Sequence, residues 1–299
     1  MLSQQAESVR EMIKSMISEG LSPGSSVEAQ REFMESAMAS LGLLADTQFE
    51  KISVSGITAE WVNAPGAQPE RVLLYLHGGG YCMGSCNTHR DLAARLSQVT
   101  GARVLLLDYR LAPEHPFPAA VEDATAAFRW LLKEGIDPKH IAVGGDSAGG
   151  GLTLATLQSL RDTGEQLPGA AIFLSGWLDA TFSGESINNQ ADVDIMVTLE
   201  NLKECREWYI GHTDPPPVLA SPLQGDLRGL PPMIIHVGSD EILRDDSVRL
   251  AKQAQAVGVE AKLEIWDGMW HVFQQTAVMN VPESQAALDQ IGEFVRKHI

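Results

Sequence analysis

A chain of 299 residues, 44% hydrophobic and 20% charged, has the composition of a globular protein with one large core. A formal net charge of −17 argues against nucleic acid, an anionic membrane surface or a polyanionic substrate as partner, and leaves a small neutral ligand. The cysteines Cys82, Cys86 and Cys205 are too sparse for a disulfide framework or a zinc site, and read as reduced thiols of a cytoplasmic protein. No secretory signal opens the sequence and no apolar run is long enough to span a bilayer, so no stable membrane association is expected.

In chain order, Val9, Met12, Ile13, Met16 and Ile17 recur at helical spacing, as do Met34, Ala37, Met38 and Leu41. Leu21–Ser26 separates these two amphipathic helices, whose methionines are core filler or the adaptable roof of a pocket. Alternation from Phe49 to Val62 around Ser55-Gly56 predicts an antiparallel pair of strands. Six short apolar runs follow: 72–76, 104–107, 141–143, 171–174, 233–237 and 261–266. Helical stretches alternate with them at 91–99, 119–134, 152–160, 247–257 and 283–298. That alternation predicts an α/β fold with a mostly parallel sheet covered on both faces, and puts the chemistry beyond the carboxyl ends of the strands.

The stretch Gly145-Asp146-Ser147-Ala148-Gly149 lies where a predicted strand turns at once into a helix. This is the G-x-S-x-G pattern in the context it requires: glycines let strand and helix approach, and one hydroxyl stands at a helix N-terminus. Ser147 is the expected nucleophile. His77-Gly78-Gly79-Gly80 follows the strand at 72–76, and its bare backbone offers the N–H groups of Gly78 and Gly79, with that of Ala148, to a developing oxyanion. His77 itself reads as a structural hydrogen-bonder.

The nucleophile needs a base and the base an orienting carboxylate. His271, just past the last strand, is the expected base; His89 and His115 stay open as pocket-lining residues. Asp240 is the first carboxylate past the strand at 233–237 and is the expected acid, with Glu241 pointing elsewhere, Asp245 and Asp246 opening a helix, and Asp267 as competitor.

Together His77-Gly-Gly-Gly80, Asp108-Tyr-Arg-Leu-Ala-Pro-Glu114, Gly145–Gly149, Ser239-Asp240 and His271 resemble the hormone-sensitive-lipase-like esterases, bacterial family IV of the α/β-hydrolase fold. The resemblance implies a mostly parallel eight-stranded sheet flanked by helices, with a catalytic domain formed by residues 46–178 and 220–299. It implies a helical cap built from residues 1–45 and an insertion at 179–219, and cis peptide bonds before Pro113 and Pro118. The triad it implies is Ser147, Asp240 and His271. Gly176 and Ile195 stand where the family pattern has proline, which bears on cap and pocket. The expected pocket lining is Tyr81 and Asp146, with Met196 and Trp208 from the insertion. The reaction implied is hydrolysis of short- to medium-chain neutral carboxylic esters through an acyl-enzyme, with no metal or organic cofactor. A homodimer is compatible with this reading. The rivals are an amidase or peptidase using the same acid–base order, and a non-catalytic receptor on the same fold, which the presence of His271 disfavours.

Overall fold

The computed structural model describes residues 2–20 and 25–299. Helices α1 (Gln4–Gly20) and α2 (Val27–Ala39) come first. Most of the connection expected at Leu21–Ser26 falls on residues 21–24, outside the described residues. Ser26 caps α2 by accepting the Ala29 N–H through its hydroxyl. The stripe of α1 that meets the protein is Ala6, Val9 and Ile13, at i, i+3 and i+7. Met12 flanks that stripe and Met16 lies past its last buried residue; they are 47% and 37% exposed, so neither is core filler.

Strands β1 (Gln48–Val54) and β2 (Ile57–Asn63) form the expected antiparallel pair, with Val54 opposite Ile57. Ser55 and Gly56 join them with φ of 54° and 88°, the conformation of a two-residue turn whose twist matches its strands. The alternating part then runs β3 (Gln68–Leu76), α3 (Cys86–Thr100), β4 (Ala102–Leu107), α4 (Ala119–Lys133), β5 (Ile141–Asp146), α5 (Ala148–Asp162) and β6 (Ala170–Leu174). It continues with α6 (Ser186–Asn189), α7 (Leu199–Ile210), β7 (Met233–Gly238), α8 (Arg244–Ala256), β8 (Ala261–Trp266) and α9 (Pro282–His298). Helix α3 starts ahead of the expected Asp91 because Ser85 and Thr88 form a reciprocal capping box that satisfies its first turn.

Among the described residues the strands form one eight-stranded sheet in the order β1-β2-β4-β3-β5-β6-β7-β8. Pairing is antiparallel at β1–β2 and β2–β4 and parallel from β4 to β8. Side chains of β3 alternate between two apolar layers. Leu74 and Leu76 join Phe128 of α4 and Leu152 of α5, while Leu73 and Tyr75 join Leu96 of α3 and Ile291 of α9. The register aligns the carboxyl ends of adjacent strands: Leu76 lies beside Gly145, Asp146 beside Leu174, and Gly238 beside Trp266. The loops that follow β3, β5, β6, β7 and β8 therefore meet along one rim, which is where such a sheet can assemble a site.

Gly149, in the first turn of α5, is forced by that convergence. A Cβ there would run into the carbonyls of Leu76 and His77. Gly149→Ala is expected to destabilise the protein by about 1–3 kcal/mol, the usual cost of overpacking. A lower midpoint of urea denaturation at unchanged slope is the measurement.

Candidate active site

Ser147 stands between β5 and α5 with φ 51° and ψ −121°, and it is partly exposed. A non-glycine residue in that region is strained and persists only where its surroundings fix it. Here they do: the Ser147 N–H donates to the Leu174 carbonyl at 2.9 Å, and its own carbonyl accepts from Gly150, Gly151 and Trp177 at 3.0, 3.2 and 2.8 Å. These bonds hold Ser147 at the carboxyl end of β5, at the start of α5.

His271 lies past β8, 6% exposed, and its Nδ1 is 2.9 Å from the Oε2 of Glu241. A carboxylate only accepts, so Nδ1 carries the proton and Nε2 keeps the lone pair. The choice of Asp240 as acid is thus corrected: Glu241, wholly buried, is the carboxylate that meets the base. The reason lies in the partners of the two side chains. The Asp240 N–H bonds the Met269 carbonyl at 3.1 Å, and its side chain faces α1, where Arg10 takes it at 2.7 Å. The chain then turns inward. Glu241 reaches back so that its Oε1 accepts the Gly238 N–H at 2.5 Å and the Ser175 hydroxyl at 2.8 Å, leaving Oε2 for His271. Ser175 also accepts the Val272 N–H at 3.0 Å, and so ties acid loop to base loop. Burial disfavours the imidazolium of His271, but the hydrogen bond and charge of Glu241, aided by Asp194 and Asp146, more than offset it and raise its pKa.

The glycine loop after β3 is set by what holds its carbonyls. A trans peptide points its N–H opposite to its C=O. The His77 carbonyl accepts the Tyr109 hydroxyl at 2.7 Å, which turns the Gly78 N–H the other way. The Gly78 carbonyl lies 2.7 Å from His77 Nδ1, which does the same for the Gly79 N–H. The three bonds on the Ser147 carbonyl do it for Ala148. His77 is the structural hydrogen-bonder expected; burial, then the neighbouring His89, lower its pKa to about 4, so it stays neutral. The segment after Asp108 carries its cis bonds at Ala112-Pro113 and Phe117-Pro118, and the Ala112 N–H bonds the Tyr81 carbonyl at 2.9 Å.

Comparison with known proteins now decides the family. Residues 73–275 match the family described by the alpha/beta hydrolase fold. An acetyl-hydrolase of Streptomyces hygroscopicus is 43% identical over 270 residues, 90% of each chain. An esterase of Acinetobacter venetianus is 37% identical over 248 residues, 83% of this chain and 81% of that one. A crystal structure of an esterase from the bacterial hormone-sensitive lipase family superposes with a TM-score of 0.95 at 46% identity, covering 100% of this chain and 99% of that one. The chain belongs to the α/β-hydrolase family, in its hormone-sensitive-lipase-like branch.

Within this hydrolase the expected pocket lining divides. Asp146 is 2% exposed and turns under the glycine loop, accepting the Tyr75 hydroxyl at 2.8 Å and facing His89 Nε2 at 3.3 Å, so it supports the loop and does not line a pocket. Burial pushes its pKa up, but His89 and Tyr75 outweigh that and the net shift is downward. Tyr81 is also 2% exposed, stacked on Tyr209 of α7 with ring centroids 3.8 Å apart; it joins the loop to the β6–β7 insertion. Met196 and Trp208 stay partly exposed. His89 is buried in the Asp146 network, while His115 lies exposed in the segment after Asp108. Sequence reasoning missed Glu241 and Ser175. The signal for Glu241 was its neighbours: Ile242 and Leu243 are core residues, whereas Asp240 follows a polar serine.

Glu241→Gln is expected to cut kcat by about 10³–10⁴, the scale seen when an orienting carboxylate becomes an amide, while Asp240→Asn loses far less. Steady-state kinetics on both variants is the check. Since His271 must be neutral to act as base and its pKa is raised, kcat/KM is expected to climb with a midpoint above the ordinary 6.5. A pH–rate profile with p-nitrophenyl acetate reads it.

Proposed function

We propose that Ser147, His271 and Glu241 are the triad of a carboxylesterase acting on neutral esters with short to medium acyl chains. The chain is a hydrolase of the esterase class, as its relatives are. The observation that carries the triad is the His271 Nδ1 to Glu241 Oε2 bond at 2.9 Å beside a strained serine elbow. Ser147 Oγ attacks the ester carbonyl while His271 Nε2 takes its proton, and Glu241 holds the imidazole in the required tautomer. The oxyanion is held by the N–H groups of Gly78, Gly79 and Ala148, whose opposing carbonyls are pinned beforehand. His271 returns the proton to the leaving alcohol; water then repeats the sequence on the acyl-enzyme and releases the acid. None of these steps calls for a metal or an organic cofactor.

We read α1, α2 and the insertion at 179–219 as a cap. Leu202, Cys205 and Tyr209 of α7 are buried in one cluster with Tyr81 and Trp177, and Phe182 stacks on Trp177 at 6.1 Å, an apolar and largely aromatic contact that seats the insertion. A cap seated on the catalytic domain in this way suits a bounded pocket for a neutral acyl chain better than an open lipid surface. A cytoplasmic location fits three free, buried cysteines, the Cys82 thiol donating to Cys205 Sγ at 3.3 Å with no disulfide between them. Among the described residues no helix is long and apolar enough to cross a membrane.

Across p-nitrophenyl esters, kcat/KM is expected to peak at roughly C4 to C8, each buried methylene adding about 0.8 kcal/mol until the pocket ends. It then falls steeply beyond about C10. A profile that climbs to C16 with activation at an oil interface would overturn the bounded pocket. Ser147→Ala is expected to abolish turnover in a folded protein, and the matching anilide to be cleaved far more slowly than the ester.

A further inference from the structure

We propose that Arg10 is a positioning residue for the reaction, its guanidinium locking the loop that carries Glu241 to the loop that carries His271. The inference rests on the Ser147–His271–Glu241 reading. Arg10 projects from α1, and its Nη1 donates to the Asp240 carboxylate at 2.7 Å and to the Gly268 carbonyl at 2.8 Å. Its Nη2 donates to the Val193 carbonyl of the β6–β7 insertion at 3.2 Å. Asp240 immediately precedes Glu241, and Gly268 stands in the turn that leads to His271. One side chain thus holds both ends of the acid–base pair.

The surrounding bonds show that this junction is a built one. Ser239 and Asp240 donate their N–H groups to the Trp266 and Met269 carbonyls at 2.9 and 3.1 Å. The Ser239 hydroxyl donates to Asp240 at 2.7 Å and accepts the Gly268 N–H at 2.8 Å. Arg10 closes the open end of this zipper. Val193 extends the reach: the next residue, Asp194, accepts the Ile242 N–H at 2.9 Å, one position past Glu241. A partly exposed ion pair adds little to stability by itself. A planar fork that fixes three segments whose mutual placement sets the His271–Glu241 contact acts on geometry instead, and small displacements there lower the rate. Lysine has the charge without the fork.

Helix α1 has a separate tether, which lets docking be told from positioning. The Ser3 N–H and hydroxyl donate to Glu283 of α9 at 2.7 and 2.8 Å, a contact that involves neither Asp240 nor Gly268. The experiment compares Arg10→Met, Arg10→Lys, Asp240→Asn and Ser3→Ala/Glu283→Gln in the full chain, with active-site concentration titrated by a fluorophosphonate. Arg10→Met and Asp240→Asn are expected to lower kcat about tenfold with KM for p-nitrophenyl acetate within about threefold, and Arg10→Lys to recover part of the loss. Ser3→Ala/Glu283→Gln is expected to lower Tm while leaving kcat within about twofold. The proposal is overturned if Arg10→Met keeps kcat within about twofold, or if the Ser3/Glu283 variant loses kcat as Arg10→Met does. Ser147→Ala and Glu241→Gln in the same assay separate the two levels: turnover surviving either sinks the triad itself, whatever Arg10 does.

Discussion

The rim of the sheet depends on a single buried carboxylate. Glu241 has no exposed surface, and an ionised carboxylate in that position is tolerated only when its oxygens are met by donors. The donors come from three loops: Gly238 at the end of β7, Ser175 after β6, and His271 after β8. None of those loops can move without leaving the charge short of a partner. The demand extends into the backbone. Ser175 and Val272 take φ of 50° and 49°, and they are joined to each other by the Val272 N–H on the Ser175 hydroxyl. With Ser147 at φ 51°, three non-glycine residues in an unfavourable region gather in the loops after β5, β6 and β8. Each such residue costs about 1–3 kcal/mol, and the convergence of hydrogen bonds is what holds them.

The other half of the site is arranged by opposition. Three peptide planes are fixed from their carbonyl side, by Tyr109, by the His77 ring, and by the turn around Ser147, so their N–H ends face away from those partners. Donors oriented before substrate arrives need no reorganisation when charge develops, which is where an electrostatic site gains most. The layer behind them is polar but closed. Asp146, His89, Tyr75 and Thr88 satisfy one another with Asp146 2% exposed, and a Cβ on Gly78 would strike the Asp146 carboxylate. The glycine at 78 is therefore a matter of space for that carboxylate as much as of freedom for the loop.

This layering explains which residues could be read in advance. Strand and helix periodicity, the serine elbow, the glycine loop and His271 all follow local rules, and each expected strand and helix is present, although β3, α3, α5 and α8 begin ahead of their expected starts. The acid does not follow a local rule. Position after β7 favours Asp240, but the two adjacent carboxylates have partners distant in sequence: Asp240 meets Arg10 and Glu241 meets His271. Tyr81 and Asp146, expected to line the pocket, are each 2% exposed and pack behind the glycine loop, because adjacency in sequence says nothing of which side of a loop a side chain takes. The exposure of Met12 and Met16 has the same origin: helical spacing locates a face, and only the partner surface fixes how wide that face is.

The same interdependence bears on whether such a fold acts or merely binds. An elbow and a glycine loop suffice to grip a carbonyl, and a receptor could keep both while dispensing with the base. Here His271, the proposed base, is not separable from the fold. Replace His271 with an apolar residue and Glu241 keeps only the Gly238 and Ser175 donors, with one oxygen left facing a dry interior. A chain drifting toward simple binding has no reason to retain a buried carboxylate together with the histidine that relieves it. Their joint presence, with strain accepted at Ser147, Ser175 and Val272 to bring them together, supports a site kept for proton transfer.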